Sequence, residues 1–121
     1  MANTFKGVTF AAEPNSAGTP YVVYTAGSGV TAVVLGLILT NINTAQVTAE
    51  VELVSDTGSR GGSNDVTNGT AFQAKDIPIP VGSSVELLSG NKVVLETTDQ
   101  IRIDCSVADK LSGALSVMEI T

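Results

Sequence analysis

A chain of 121 residues that is 43% hydrophobic, 15% charged and 4% aromatic is long enough for one hydrophobic core and too apolar for disorder. Its net charge of −6, six scattered cations and lack of histidine exclude a basic nucleic-acid surface, disfavour an anionic membrane, and remove Ser-His-Asp, Cys-His and His-containing metal chemistry. Low charge with abundant Val, Ile, Thr, Gly and Ser points to an all-β protein with many turns.

The first ten residues, MANTFKGVTF, show no basic region followed by an apolar core, so no secretory signal is expected there. They read instead as a strand near 4–10. Turn chemistry at Asn15 to Gly18 and at Gly27 to Gly29 brackets a second strand near 20–25. Then comes VTAVVLGLILTNI, residues 30–42, thirteen residues without a charge. A membrane-spanning helix needs about 20 apolar residues, and this stretch is shorter, broken by Gly36 and rich in β-branched side chains. It predicts a strand over 31–41. One face would carry Val33, Leu35, Leu37 and Leu39, the other Ala32, Val34, Gly36 and Ile38. Both are apolar, so both need a cover.

Residues 46–53, QVTAEVEL, alternate with period two. Val47, Ala49, Val51 and Leu53 point inward, while Glu50 and Glu52 lie with Gln46 and Thr48 on a solvent face. A long small-residue loop, SDTGSRGGSNDVTNG (55–69), follows and is expected to be exposed. A strand near 70–75 leads into DIPIPVG (76–82), whose two prolines remove ladder donors and restrict it to an edge or connecting arm. Strands near 84–88 and 91–95 precede QIRIDCSV (100–107), where Ile101, Ile103, Cys105 and Val107 share the apolar face. The closing strand, 113–120, sends Leu115 and Val117 to the core and leaves Met118 and Ile120 opposite. Eight or nine short strands at this spacing predict a single domain, 1–121, folded as an antiparallel β-sandwich or jelly roll. The two-faced strand 31–41 and the outward Met118 and Ile120 imply more apolar sheet surface than a monomer keeps exposed. Symmetric oligomerisation is the usual remedy.

The chemistry-bearing motifs are few. Cys105 is the one cysteine; no internal disulfide is possible, and its apolar neighbours make it a small core residue. Asp56-Thr57-Gly58 matches the catalytic triplet of aspartic proteases, in which two aspartates share a proton across a dimer. Ser55 stands where that family keeps an apolar residue, and the polar Arg60 to Asn64 follow, so turn chemistry is the preferred reading. Asp56, Asn64 and Asp65 could offer oxygens to calcium, but their spacing fits no calcium loop. The glycines of this loop lack the Lys that a phosphate-binding loop needs. Asn68-Gly69-Thr70 matches a glycosylation sequon and is read as a turn.

Residues 76–121 carry an ordered series: a Pro-x-Pro-x-Gly-Ser-Ser arm (Pro78 to Ser84), an apolar-Gly-x-Lys strand (Leu87 to Lys92), a Leu-Glu-x-x-Asp turn (Leu95 to Asp99) and a last strand ending Met118-Glu119-Ile120. Upstream lie Tyr24-Thr25 and VVLGLILTNIN, residues 33–43. In this order the pieces resemble small all-β virion structural proteins of tailed bacteriophages, especially those of marine and cyanobacterial hosts. The resemblance implies a building block of the virion, assembled in the host cytoplasm, with no catalytic residue, cofactor or metal to carry over. It implies capsid cement or decoration on the outside of the particle, or else a neck, collar, tail or fibre component. The expected partners are further copies of the chain, in an oligomer such as a trimer, and other virion proteins such as the major capsid or neck and tail proteins. Nucleic acid and membrane are not expected. The acidic balance suits an exterior position, since a DNA-filled lumen would repel it. The contact candidates are Val34, Ile38, Met118 and Ile120, with the arm bearing Pro78 and Pro80. A host- or carbohydrate-binding module is the alternative from another class. It has only Tyr21 and Tyr24, and no Trp, to stack on a sugar.

Overall fold

The computed structural model describes residues 3–55, 70–87 and 93–121. Among them the regular structure is entirely strand: β1 (Asn3–Phe10), β2 (Tyr21–Thr25), β3 (Thr31–Asn41), β4 (Val47–Val54), β5 (Thr70–Ile79), β6 (Ser84–Leu87), β7 (Val93–Leu95), β8 (Gln100–Cys105) and β9 (Leu111–Ile120). Every pairing is antiparallel. The strands form two sheets packed as a sandwich. Sheet A runs β1-β9-β3, with β6 and β7 sharing the far edge of β3; sheet B runs β2-β8-β4-β5. The apolar stretch 30–42 is therefore a central strand, as its β-branched composition requires. Among the described residues no helix is long and apolar enough to cross a membrane.

The alternation read in β4 and β8 holds for the inward apolar residues of the strands, but Val107 lies beyond the end of β8 and is exposed, and Asp104 is buried because it caps the turn at Gly18. Val47, Ala49 and Val51 on β4 and Ile101, Ile103 and Cys105 on β8 are buried and meet Val34, Leu37, Leu39, Leu115 and Val117 of sheet A. Burying each large aliphatic side chain is worth about 1.5–3 kcal/mol, and these strands supply most of the core. Phe10 closes one end. Its partner across the ladder is Gly113, where an added Cβ would lie 2.5 Å from the Phe10 ring and 2.6 Å from the Ile38 carbonyl oxygen. Only glycine lets the ring lie over the strand there.

β3 departs from simple alternation. Its pairing with β9 slips between Val34 and Gly36, leaving Leu35 as an extra residue. A bulge of this kind puts two residues against one and reverses the phase of the pleat. Before it, Ala32 and Val34 face inward; after it, Leu37, Leu39 and Asn41 do. Val34 is 0% exposed, so it is a core residue and not the outward contact expected from strict alternation. Val33 and Leu35, expected to share a face with Leu37 and Leu39, are half-buried on the other side.

β5 lies at the edge of sheet B, where its prolines remove no ladder bond that a central strand would need. The segment 76–79 is part of this strand and not a separate arm. It bends at Asp76, whose φ is +51°, where the register against β4 shifts between Ala49 and Val51. Pro78 and Pro80 remain exposed, and Ile79 between them is buried. The turn signals also hold: Gly18, Gly29 and Gly82 adopt positive φ, and the Ser83 N–H closes a turn on the Pro80 carbonyl at 3.1 Å.

Candidate functional site

The ladder registers determine what the outer face of sheet A presents. Phe5 of β1 pairs with Met118 of β9, Met118 with Val33 of β3, and Val33 with Val94 of β7. Four apolar side chains therefore form one straight row across four strands. Phe5 is 73% and Val94 56% exposed; Met118 and Val33 are half-buried between them. Neighbouring cross-strand pairs of this type support one another, yet no part of the described chain covers the row.

The next outward row is the opposite in size. Gly7 pairs with Ser116, which pairs with Gly36, and nothing lies within 4 Å of a Cβ built on either glycine. Here the face sinks into two shallow hollows of about 320 and 340 Å³, both lined by Leu35 and Ser116. They are open and apolar, at the lower limit of ligand-pocket size, and no cluster of polar groups converges on them. Beyond the furrow a third row runs from Thr9 through Ala114 and Ile38 to Glu86. Glu86 is the one charged residue that the strands carry on this face among the described residues, and the exposed Glu96 follows directly after β7.

Of the expected contact residues, Ile38 (45% exposed), Met118 and Ile120 come together on this face. Ile120 sits one row beyond Met118, between Asn3 and Thr31. Val34 is in the core, and Pro78 and Pro80 belong to the edge of sheet B. Phe5, Val33, Leu35 and Val94 were missed. Their grouping depends on strand order and on the bulge, neither of which any single segment announces.

The outer face of sheet B is polar. Glu50 accepts from Lys75 Nζ at 2.6 Å, and Lys75 also lies 4.7 Å from the Phe72 ring centroid. Glu52 is not a free solvent residue as its alternation implied. It is only 9% exposed, because Phe72 on β5 and Arg102 on β8 flank it in the same row. A polar clamp joins the sheets where Tyr24 Oη of β2 donates to Glu119 Oε2 of β9, while Lys6 Nζ holds the other oxygen at 3.1 Å. Those two donors lower the Glu119 pKa. Burial, and then the bond to Glu119, push the Tyr24 hydroxyl well up. Tyr21 packs against Phe10, ring centroids 6.2 Å apart. Tyr24 is buried and Tyr21 half-buried, so neither ring is fully exposed.

Other chemistry is sparse. Burial raises the Cys105 pKa, so the thiol stays protonated and is a poor nucleophile. Glu13 and Asp104 are buried together at the turn between β1 and β2. Glu13 Oε1 accepts the Asn15 N–H at 2.8 Å and Asp104 Oδ2 the Gly18 N–H at 2.9 Å. Glu13 Oε2 and Asp104 Oδ1 have no partner. Burial, followed in part by the negative charges of Asp104 and Asp109, raises the Glu13 pKa. No group of three or more His, Cys, Asp or Glu side chains is placed to hold a metal among the described residues. The Asp56-Thr57-Gly58 triplet and the oxygens of Asn64 and Asp65 lie outside the described residues.

No family model matches the chain, and no curated protein matches it by sequence. Among solved structures, the chain resembles one in the structure of infectious bursal disease virus, Gx strain, with a TM-score of 0.52 and 14% identity. The match covers 96% of this chain but only 32% of that one, so this protein spans about a third of the viral chain's length. At that identity the likeness is one of fold: both contain this sandwich. A protein from the disulfide-linked pili of Bacillus endospore appendages is also similar, at a TM-score of 0.45 and 16% identity, with 99% of this chain and 87% of that one covered.

Proposed function

We propose that this protein is a non-enzymatic structural component of a tailed-phage particle, attached as a homo-oligomer to the outside of the capsid as a cement or decoration protein. The observation that carries this reading is the outer face of sheet A. It is apolar, nearly free of charge and covered by nothing in the described chain, on a sandwich of the sort found in a virus chain. Monomers seldom keep a large apolar patch bare, and a flat, stiff β face suits passive contact between copies that then attach together. Many weak contacts by linked copies add up through effective concentration. The net charge of −6 favours the exterior over a compartment packed with DNA. Labelling the protein with an antibody and imaging intact particles by electron microscopy tests the proposal. Label spread over the capsid exterior is the expected result; label confined to neck, tail or fibres would move the protein within the particle. Unlabelled particles would defeat the proposal.

A further inference from the structure

We propose that the outer face of sheet A is a two-fold pairing surface for a second copy of this chain, the row Phe5–Met118–Val33–Val94 of each copy seating in the Gly7–Ser116–Gly36 furrow of the other. This deepens the homo-oligomer reading above and rests on it. Three observations name the occupant. The first is shape. Row and furrow are adjacent and parallel, two residues apart along β1 and β9 and three along β3, where Leu35 is the extra residue. A two-fold axis lying in the interface between them exchanges their positions, so one copy's ridge meets its partner's hollow. Such isologous contact requires a surface complementary to itself, and sheets stack in this way face to face at about 10 Å.

The second is charge. A chain of net charge −6 repels its own copies over most approaches. Sheet B presents Glu50, Glu52, Arg102 and Asp104 on or near its outer surface, but among the described residues the strands carry only Glu86 on this face of sheet A, at its margin. It is the approach along which two acidic copies meet with least repulsion. A basic partner would find little acidic counterpart here beyond Glu86 among the described residues. The third is area. Three long strands, with β6 and β7 sharing a fourth position, about 4.8 Å apart and about eight residues long at about 3.4 Å each, give a flat patch of roughly 500 Å². Two such patches give roughly 1,000 Å² in total, the lower bound for a specific interface and in keeping with a reversible dimer.

Sedimentation equilibrium over a wide concentration range tests the pairing, with Phe5→Ser and Val94→Ser at opposite ends of the row and Phe72→Ser on sheet B as the control. All three side chains are exposed, so their loss should spare the fold, which circular dichroism and thermal melts would verify. The expected result is a reversible species of twice the 12.3 kDa chain mass. Phe5→Ser and Val94→Ser should each weaken it at least tenfold, and Phe72→Ser should leave it unchanged. A monomer at every concentration, a trimer, or a dimer indifferent to Val94→Ser (as edge pairing through β1 would be) overturns the pairing. None of these outcomes alters where antibody falls on the particle, so the virion reading stands or fails separately.

Discussion

Gly113 shows how a single missing atom organises one end of the core. Its empty Cβ position is occupied by the Phe10 ring and bounded by the Ile38 carbonyl. Backbone cannot retreat as a flexible side chain can, so Gly113→Ala should cost about 1–3 kcal/mol by overpacking, read as a lower denaturant midpoint. Glu13 makes the opposite kind of prediction. Its pKa lies above the ordinary 4.5 because burial, and then Asp104 and Asp109, disfavour its charge. Those acids come from β8 and from the turn before β9, with the buried Cys105 thiol beside them. A carboxyl whose folded pKa is raised carries no penalty below its unfolded pKa, and the folded state loses stability as pH rises through the folded value. Glu13→Gln keeps an oxygen for the Asn15 N–H and cannot ionise. Its melting temperature should match the parent's in acid, below the ordinary 4.5, and exceed it at neutral pH; equal melting at both would refute this reading. Nothing in the residue pattern around Glu13 forecast its burial, since the contacts come from Leu111, Asp109 and Asp104, nearly a hundred residues away in sequence.

At the scale of elements, β3 carries the lesson. Apolar β-branched composition located β3, period-two alternation β4 and β8, and turn signals helped to bracket the others, to within about two residues where the ends are described; β5 was the exception, extending through the proline arm to Ile79. Alternation also placed Met118, Ile120 and Cys105 on their faces. It failed at Val34 because one extra residue, Leu35, reverses the phase, and a uniformly apolar run gives no sign of which residue is extra. The pairing with β9 decides it. Deletions in β3 test the assignment. Removing Leu35 restores continuous alternation and keeps Ala32, Val34, Leu37 and Leu39 all inward, so the variant should fold with a modest loss in midpoint. Removing Ile38 instead would turn Leu39 and Asn41 outward, and should abolish cooperative unfolding. Equal tolerance of the two deletions would mean the bulge lies elsewhere. The grouping of Phe5 with Val94 was out of reach for the same reason: those residues are 89 positions apart, and only the strand order β1-β9-β3-β7 brings them into one row.

The whole molecule is a stiff sandwich with a charged side and a greasy side, and its electrostatics should be legible in solution. If copies pair through sheet A, what opposes them is the summed repulsion of two acidic bodies, because the contact itself holds almost no charge. Salt screens such repulsion over a Debye length of about 10 Å at 0.1 M. Raising sodium chloride should therefore tighten association, whereas contact through the Glu50–Lys75 side of sheet B would weaken. Met118 offers the most direct measurement of all, as one of only two methionines and near the middle of the exposed row. Its methyl resonance can be followed with a soluble paramagnetic probe as protein concentration rises through association. Broadening by the probe should fall as copies pair, while Phe72 on sheet B stays as accessible as before. A Met118 methyl equally open in the associated and separated states, with sheet B protected instead, would contradict it.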